Sequence, residues 1–265
     1  MAAGTETGAD HIVEMEGITK KYGEVVALQD VTFNLRRNEV LALAGDNGAG
    51  KSTLIKCLAG AIHPDSGTIR VDGETVRIDN PRQAKDLGIE TTFQDLAVAG
   101  NLTVTQNIFL GREEVNGYDS LLGVLNKKRM RKRAQELLDD LEIRVDVDEK
   151  VSNLSGGERQ LVSISRTLLS DPKIVIMDEP TSALSVEGAD RVLDLIDRMQ
   201  NQGISIILIS HNLDYIRRAA DRIQILHQGQ SAGILDGEQF DQDEIVKRMV
   251  GGMPEEEQSE RAADA

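Results

Sequence analysis

Val40-Leu41-Ala42-Leu43-Ala44-Gly45-Asp46-Asn47-Gly48-Ala49-Gly50-Lys51-Ser52-Thr53 runs from an apolar stretch into a glycine-rich loop. Residues 39–44 read as a buried strand, and 53–59 as a helix closed by Gly60. Gly45 to Ser52 matches G-x-x-x-x-G-K-[ST] in the strand-to-helix context that this pattern requires. Glycines let backbone N–H groups turn inward around phosphate oxygens, and the helix N-terminus adds its positive dipole end. Lys51 is expected to reach the β- and γ-phosphates, and the Ser52 hydroxyl to ligate Mg²⁺. The alternative, a glycine-rich turn with a chance Lys-Ser, does not account for the agreement of motif and context.

Outward from this stretch, strand and helix patterns alternate. Ile174–Met177 is strand-like and stops at Asp178. In 186–200, Val186, Ala189, Val192, Leu193, Ile196 and Met199 share one helix face, and Gly203 closes the pattern. Residues 204–209 form a second apolar run, followed by a helix pattern around 212–220. This order predicts an α/β fold with a mainly parallel sheet, and the Gly45–Ser52 motif in it points to a phosphate-loop NTPase (RecA-like) core. Residues 66–79 read as two short strands around Asp72-Gly73, a hairpin turn signal in an N-terminal antiparallel β part. Residues 95–160 read as a mainly helical insertion, with Leu137, Leu138 and Leu141 on one face of a helix over 126–143.

The chain has 265 residues, 40% hydrophobic, enough to form a core. Thirty Lys and Arg stand against 45 Asp and Glu, for a net charge of −15, which disfavours general nucleic-acid binding. The acid excess reads either as adaptation to a salty cytoplasm or as an ordinary acidic composition. Cys57 is the one cysteine, which excludes an intrachain disulfide, and it reads as a small buried hydrophobe. No apolar run is long enough to span a bilayer, and the start lacks the pattern of a secretion signal. Residues 12–250 read as one domain flanked by flexible termini, 1–11 and 251–265. Six of the seven residues in Lys127–Arg133 are basic. They suit either an anionic surface or a solvated helix start offset by nearby acids.

Two further motifs carry chemistry. Ile174-Val175-Ile176-Met177-Asp178-Glu179-Pro180 ends an apolar strand in two carboxylates. Asp178 there suits Mg²⁺, and Glu179 suits polarisation of an attacking water. Leu154-Ser155-Gly156-Gly157-Glu158-Arg159-Gln160 has the S-x-x-E spacing of a capping box. A serine hydroxyl and two bare glycine amides at a helix start also make an anion site, and the two readings are compatible.

Taken in order, GDNGAGKS, LSGGERQ and IVIMDEP resemble the ATP-binding cassette ATPases, over about 12–250. The Leu-Ser-Gly-Gly-x-x-Gln string is that family's own signature. The resemblance implies ATP and Mg²⁺ as ligands, and ATP hydrolysis. It also implies head-to-tail stacking of two cassettes, a homodimer or this chain with a close relative. Gly45, Asp46, Asn47, Gly48, Ala49, Gly50, Lys51, Ser52 and Thr53 then bind ATP, and Tyr22 stacks on adenine. Ser155, Gly156, Gly157 and Glu158 close over the partner subunit's ATP. Glu179, His211 and Gln94 are the implied catalytic set, with Ser52, Gln94 and Asp178 on the metal. Where the family usually has Ser-Ala-Leu-Asp, this chain reads Ser182-Ala183-Leu184-Ser185, which puts coupling of the two sites through that Asp in doubt.

Residues 89–113 and the Ser185 variant resemble the ATPases of ribose-, xylose- and fructose-type importers. That implies a peripheral subunit on the cytoplasmic membrane face, working with permease subunits and, indirectly, a sugar-binding protein. A cassette for other cargo, or for export, is the first alternative. A soluble cassette acting on DNA or ribosomes is the second, and the net charge argues against it. Leu96, Val98, Leu102, Val104, Ile108, Phe109 and Leu110 make an unusually apolar stretch; the resemblance implies a groove here for a permease helix, and burial in the helical insertion is the alternative.

Overall fold

A computed structural model of the chain describes residues 10–92, 98–115, 124–237 and 240–251. Its strands form two sheets. The first holds β1 (His11–Tyr22), β2 (Val25–Arg36), β4 (Ser66–Val71) and β5 (Glu74–Val76) in the order β2-β1-β4-β5. Its pairings are antiparallel, with Met15 opposite Phe33 and Ile69. The β4–β5 hairpin turns on Asp72 and Gly73, with φ of 54° and 79°, the left-handed pair that a two-residue turn requires.

The second sheet holds β3 (Val40–Gly45), β6 (Ile89–Thr92), β7 (Ile174–Asp178), β8 (Ser205–Ile209), β9 (Arg222–His227) and β10 (Gln230–Asp236). Its order is β10-β9-β3-β8-β7-β6. Strand β3 runs parallel to β8 and β9, and β7 parallel to β8, while β10 returns antiparallel to β9. Every residue of β3 is buried, as expected for a parallel strand covered on both faces. Its side chains alternate between two cores. Leu41 and Leu43 join the larger one with Phe33, Leu54, Ile176 and Ile207. Ala42 and Ala44 join a smaller one with Ile216, Ile223, Ile225 and Ile245.

The helices are α1 (Lys51–Leu58), α2 (Pro81–Asp86), α3 (Val104–Ile108), α4 (Lys127–Asp140), α5 (Gly156–Leu168), α6 (Val186–Asn201), α7 (Leu213–Ala219) and α8 (Gln242–Gly251). The chain divides into two compact units. One comprises residues 1–91, 173–179 and 200–265, and carries both sheets. The other comprises residues 92–172 and 180–199, and is built on helices.

In the helical unit, α4 buries Met130, Ala134 and Leu138. Leu141, which caps it, is also buried, and Leu137 is only partly so. The basic run at its start is offset by acids. Arg129 and Arg133 meet Glu114, Arg131 meets Asp148, and Lys132 meets Glu136. Of the apolar residues of the candidate groove, Val104, Ile108 and Phe109 are core. Val98, Leu102 and Leu110 are partly exposed, and Leu96 lies outside the described residues.

Candidate functional site

The glycine-rich loop leaves the C-terminal end of β3, where ligands bind in open α/β sheets. Helix α1 begins at Lys51, two residues before the start read from the sequence, because Gly50 serves as its N-cap. Gly50 has a φ of 103°, and a Cβ there would lie 2.8 Å from the Ala27 carbonyl oxygen and from a Leu28 methyl group. Only glycine fits. Ser52 is exposed and Thr53 partly buried, both in the first turn of α1. The Ala49 N–H donates to the Asp46 carbonyl at 3.1 Å, and the Asn47 N–H to the Asp46 carboxylate at 2.7 Å, which holds the loop closed on itself.

Lys51 Nζ donates to the carbonyl oxygens of Gly45 at 2.7 Å and Asp46 at 3.0 Å, so its ammonium lies across the loop. Burial pushes its pKa below the usual lysine value, opposed by the charges of Glu179, Asp46 and Asp178. Asp178, the last residue of β7, is moved the other way. Burial and then the charge of Glu179 raise its carboxyl above the ordinary range, against the pull of Lys51 and Lys56.

Glu179 follows with a φ of 50°, a left-handed conformation rare outside glycine and costly to hold. Its N–H donates to the Ile209 carbonyl at 2.9 Å, which continues the β7–β8 pairing by one residue. Its Oε1 lies 2.8 Å from Nδ1 of His211. The carboxylate side chain is 15% exposed and the imidazole 76%. Beyond His211, the Asn212 side chain caps α7 by accepting from the N–H groups of Asp214 and Tyr215.

Tyr22 ends β1, paired with Val25. Tyr22, Val25 and Val26 are all exposed, an apolar shelf at the turn of the β1–β2 hairpin. Lys20 Nζ lies 5.7 Å from the Tyr22 ring centroid. The sheet-bearing unit thus contains the loop, Asp178, Glu179, His211 and Tyr22. Gln94 falls within 93–97 and lies outside the described residues.

In the helical unit, Ser155 caps α5 through a complete capping box. The Glu158 carboxylate accepts from the Ser155 N–H at 2.8 Å and from its hydroxyl at 2.7 Å, while the Glu158 N–H donates to Ser155 Oγ. Those bonds, the backbone one foremost, hold the Glu158 carboxyl below its usual range. A Cβ on Gly157 would lie 2.9 Å from the Cα of Gly188, so α5 and α6 meet there backbone to backbone. Ser185 Oγ accepts from the Gly188 N–H at 3.2 Å, the cap expected of a serine at a helix start.

Sequence reasoning passed over Gly229. It sits with Gln228 in the two-residue turn between β9 and β10, and touches both the loop and β2. The readable signal was a glycine between two alternating strands.

A family model described as ABC transporter matches residues 28–182. The xylose/arabinose import ATP-binding protein of Sulfolobus acidocaldarius is similar to this chain, 41% identical over 90% of it and 94% of that protein. A ribose import ATP-binding protein of Streptomyces coelicolor is 39% identical over 97% of this chain and 48% of its own length, so the chain spans about half of that relative. Among solved structures, an ATP-binding cassette of an ABC transporter in its ADP conformation aligns with a TM-score of 0.77 at 27% identity. That match covers 90% of this chain and 94% of the other.

Proposed function

The chain belongs to the ABC transporter family, and we propose that it is the ATPase subunit that powers monosaccharide import through separate permease subunits. The observation that carries the catalytic part is the convergence at Lys51. Its ammonium closes the phosphate loop and feels the charges of Asp178 and Glu179 from the end of β7.

ATP places its triphosphate on residues 45–53 and its adenine on the Tyr22 shelf. Water attacks the γ-phosphorus, the bond to the β–γ bridging oxygen breaks, and Glu179 takes the water proton. His211 holds the Glu179 carboxylate by donating from Nδ1, and its contact with the γ-phosphate through Nε2 requires that nitrogen to carry a proton as well. Ser52, Asp178 and Gln94 are the residues that would hold Mg²⁺. The donor chemistry fits, because Asp178 is a desolvated carboxylate beside a second acid, and a cation relieves both penalties. Bound there, Mg²⁺ neutralises phosphate charge.

A second cassette, identical or closely related, brings Ser155, Gly156, Gly157 and Glu158 to the nucleotide. The helix start capped by Ser155 supplies a dipole for that contact. With Ser185 engaged as the cap of α6, coupling between the two sites runs without the usual aspartate. The subunit works at the cytoplasmic face of the membrane. No helix among the described residues is long and apolar enough to cross it. A sugar-binding protein delivers cargo to the permease, and the acid excess suits a salt-rich prokaryotic cytoplasm.

The test is uptake of labelled ribose, xylose and fructose by the host with this chain deleted. Loss of uptake of one sugar, restored by the wild-type chain and not by Glu179→Gln, is expected. Unchanged uptake of all three overturns the monosaccharide assignment.

A further inference from the structure

Two separate sheets contribute to the nucleotide site. The phosphate loop springs from β3 in one, and the Tyr22 shelf lies at the β1–β2 turn of the other. Their separation must suit one ATP molecule, so some element has to hold them in register. The turn between β9 and β10 makes that connection through backbone atoms alone. The Gly229 N–H donates to the carbonyl of Ala49, inside the phosphate loop, at 3.0 Å. The Gly229 carbonyl accepts from the Gln29 N–H, on β2, at 2.8 Å. One peptide group on each side of a single residue therefore ties loop to strand.

The packing leaves no room for a side chain. Gly229 has a φ of 79°, and a Cβ there would lie 2.8 Å from the Ala27 carbonyl oxygen and 3.1 Å from its carbon. Gly50, in the loop, is hemmed in by the same Ala27 carbonyl, at 2.8 Å from a built Cβ, and by Gly229 Cα at 3.4 Å. Three backbones meet at this point: the loop at 49–50, β2 at 27–29 and the turn at 228–229. The turn is anchored on its other side as well, since His227 Nδ1 lies 2.8 Å from the Met249 carbonyl at the end of α8. It cannot follow the loop freely.

We propose that Gly229 is a positioning residue that staples the phosphate loop to β2, and so sets the spacing between the triphosphate cradle and the adenine shelf. The adenine end of this inference rests on the reading of Tyr22 given above. Without the staple each half of the site survives, but one ligand no longer engages both fully. The loss therefore falls on ATP, which spans the two halves, and spares a ligand that occupies the cradle alone.

Gly73 supplies the control. Its φ is also 79°, yet nothing lies within 4 Å of a Cβ built on it. Gly73→Ala therefore carries the backbone strain of Gly229→Ala without its collision. The experiment measures equilibrium affinities for ATP and for inorganic triphosphate, both with Mg²⁺, in wild type, Gly229→Ala, Gly73→Ala and Tyr22→Ala. The ratio of ATP to triphosphate affinity should fall at least about fivefold in Gly229→Ala and stay at the wild-type value in Gly73→Ala. A wild-type ratio in Gly229→Ala overturns the staple. An unchanged ratio in Tyr22→Ala overturns the adenine reading by itself, because the Gly229 comparison does not use that variant.

If Gly229→Ala fails to fold, amide hydrogen exchange in the wild-type chain decides. ATP should slow exchange of the Gly229 and Gln29 amides at least about fivefold more than saturating triphosphate does. Equal slowing by the two ligands overturns the proposal.

Discussion

Nδ1 of His211 lies 2.8 Å from Oε1 of Glu179, linking the residue that follows β7 to the loop that follows β8. A carboxylate only accepts, so the shared proton sits on Nδ1, and the imidazole holds the acid in one orientation. The N–H of Glu179 is bonded to Ile209 at the end of β8, so backbone and side chain are both tied to the neighbouring strand. That explains how a left-handed, non-glycine conformation persists at this position.

Glu179→Gln should lower the ATPase rate by about 10²–10⁴, the span of a general base, while nucleotide binding survives. The variant should accumulate as an ATP-bound dimer on size-exclusion chromatography. Wild-type turnover would remove Glu179 from the chemistry.

Tyr22→Ala should weaken ATP binding by about 1–3 kcal/mol, the scale of base stacking on an aromatic ring. At saturating ATP the turnover should hold. Titration with a fluorescent ATP analogue reads the affinity, and an unchanged value places the base elsewhere.

Asp178 has its carboxyl raised by burial and by Glu179. A raised carboxyl contributes stability that is full below the unfolded value of about 3.9 and is lost as pH rises through the folded value. At neutral pH, well above the unfolded value, the raised carboxyl therefore costs stability. Asp178→Asn should raise Tm at pH 7.5 in the absence of nucleotide, by about 2–4 °C for each kcal/mol removed. The gain should shrink as pH falls toward 4. Thermal melts across pH check it, and a lower Tm at pH 7.5 contradicts the assigned penalty.

Gly157→Ala forces a Cβ to 2.9 Å from backbone at Gly188, which overpacking data place at about 1–3 kcal/mol. Gly188→Ala meets nothing closer than 3.4 Å and should be the milder change. Chemical denaturation of the two variants compares them. A more damaging Gly188→Ala would contradict the α5–α6 contact as described.

Raising KCl from 0.1 M to 1 M shortens the Debye length from about 10 Å to about 3 Å. With a net charge of −15, self-repulsion should weaken and Tm should rise. A Tm indifferent to KCl leaves the acidity without a stabilising role for salt.

The sequence by itself determined the features that need only near neighbours. The step from β3 through the glycine-rich loop into α1, the Ser155–Glu158 capping box and the Asp72-Gly73 hairpin rest on contacts a few residues apart, and each was legible as a spacing. Tertiary structure alone decided the rest. The Glu179–His211 pair joins positions 32 apart, and the Gly229 staple joins a loop, a strand and a turn from distant parts of the chain. In the candidate groove it sent Val104, Ile108 and Phe109 to the core and left Val98, Leu102 and Leu110 partly exposed. Hydrophobic period reports which face of an element is apolar, not which element covers it. Which strand lies beside which, and in what register, is settled only when the whole sheet assembles and every buried N–H and carbonyl must find a partner.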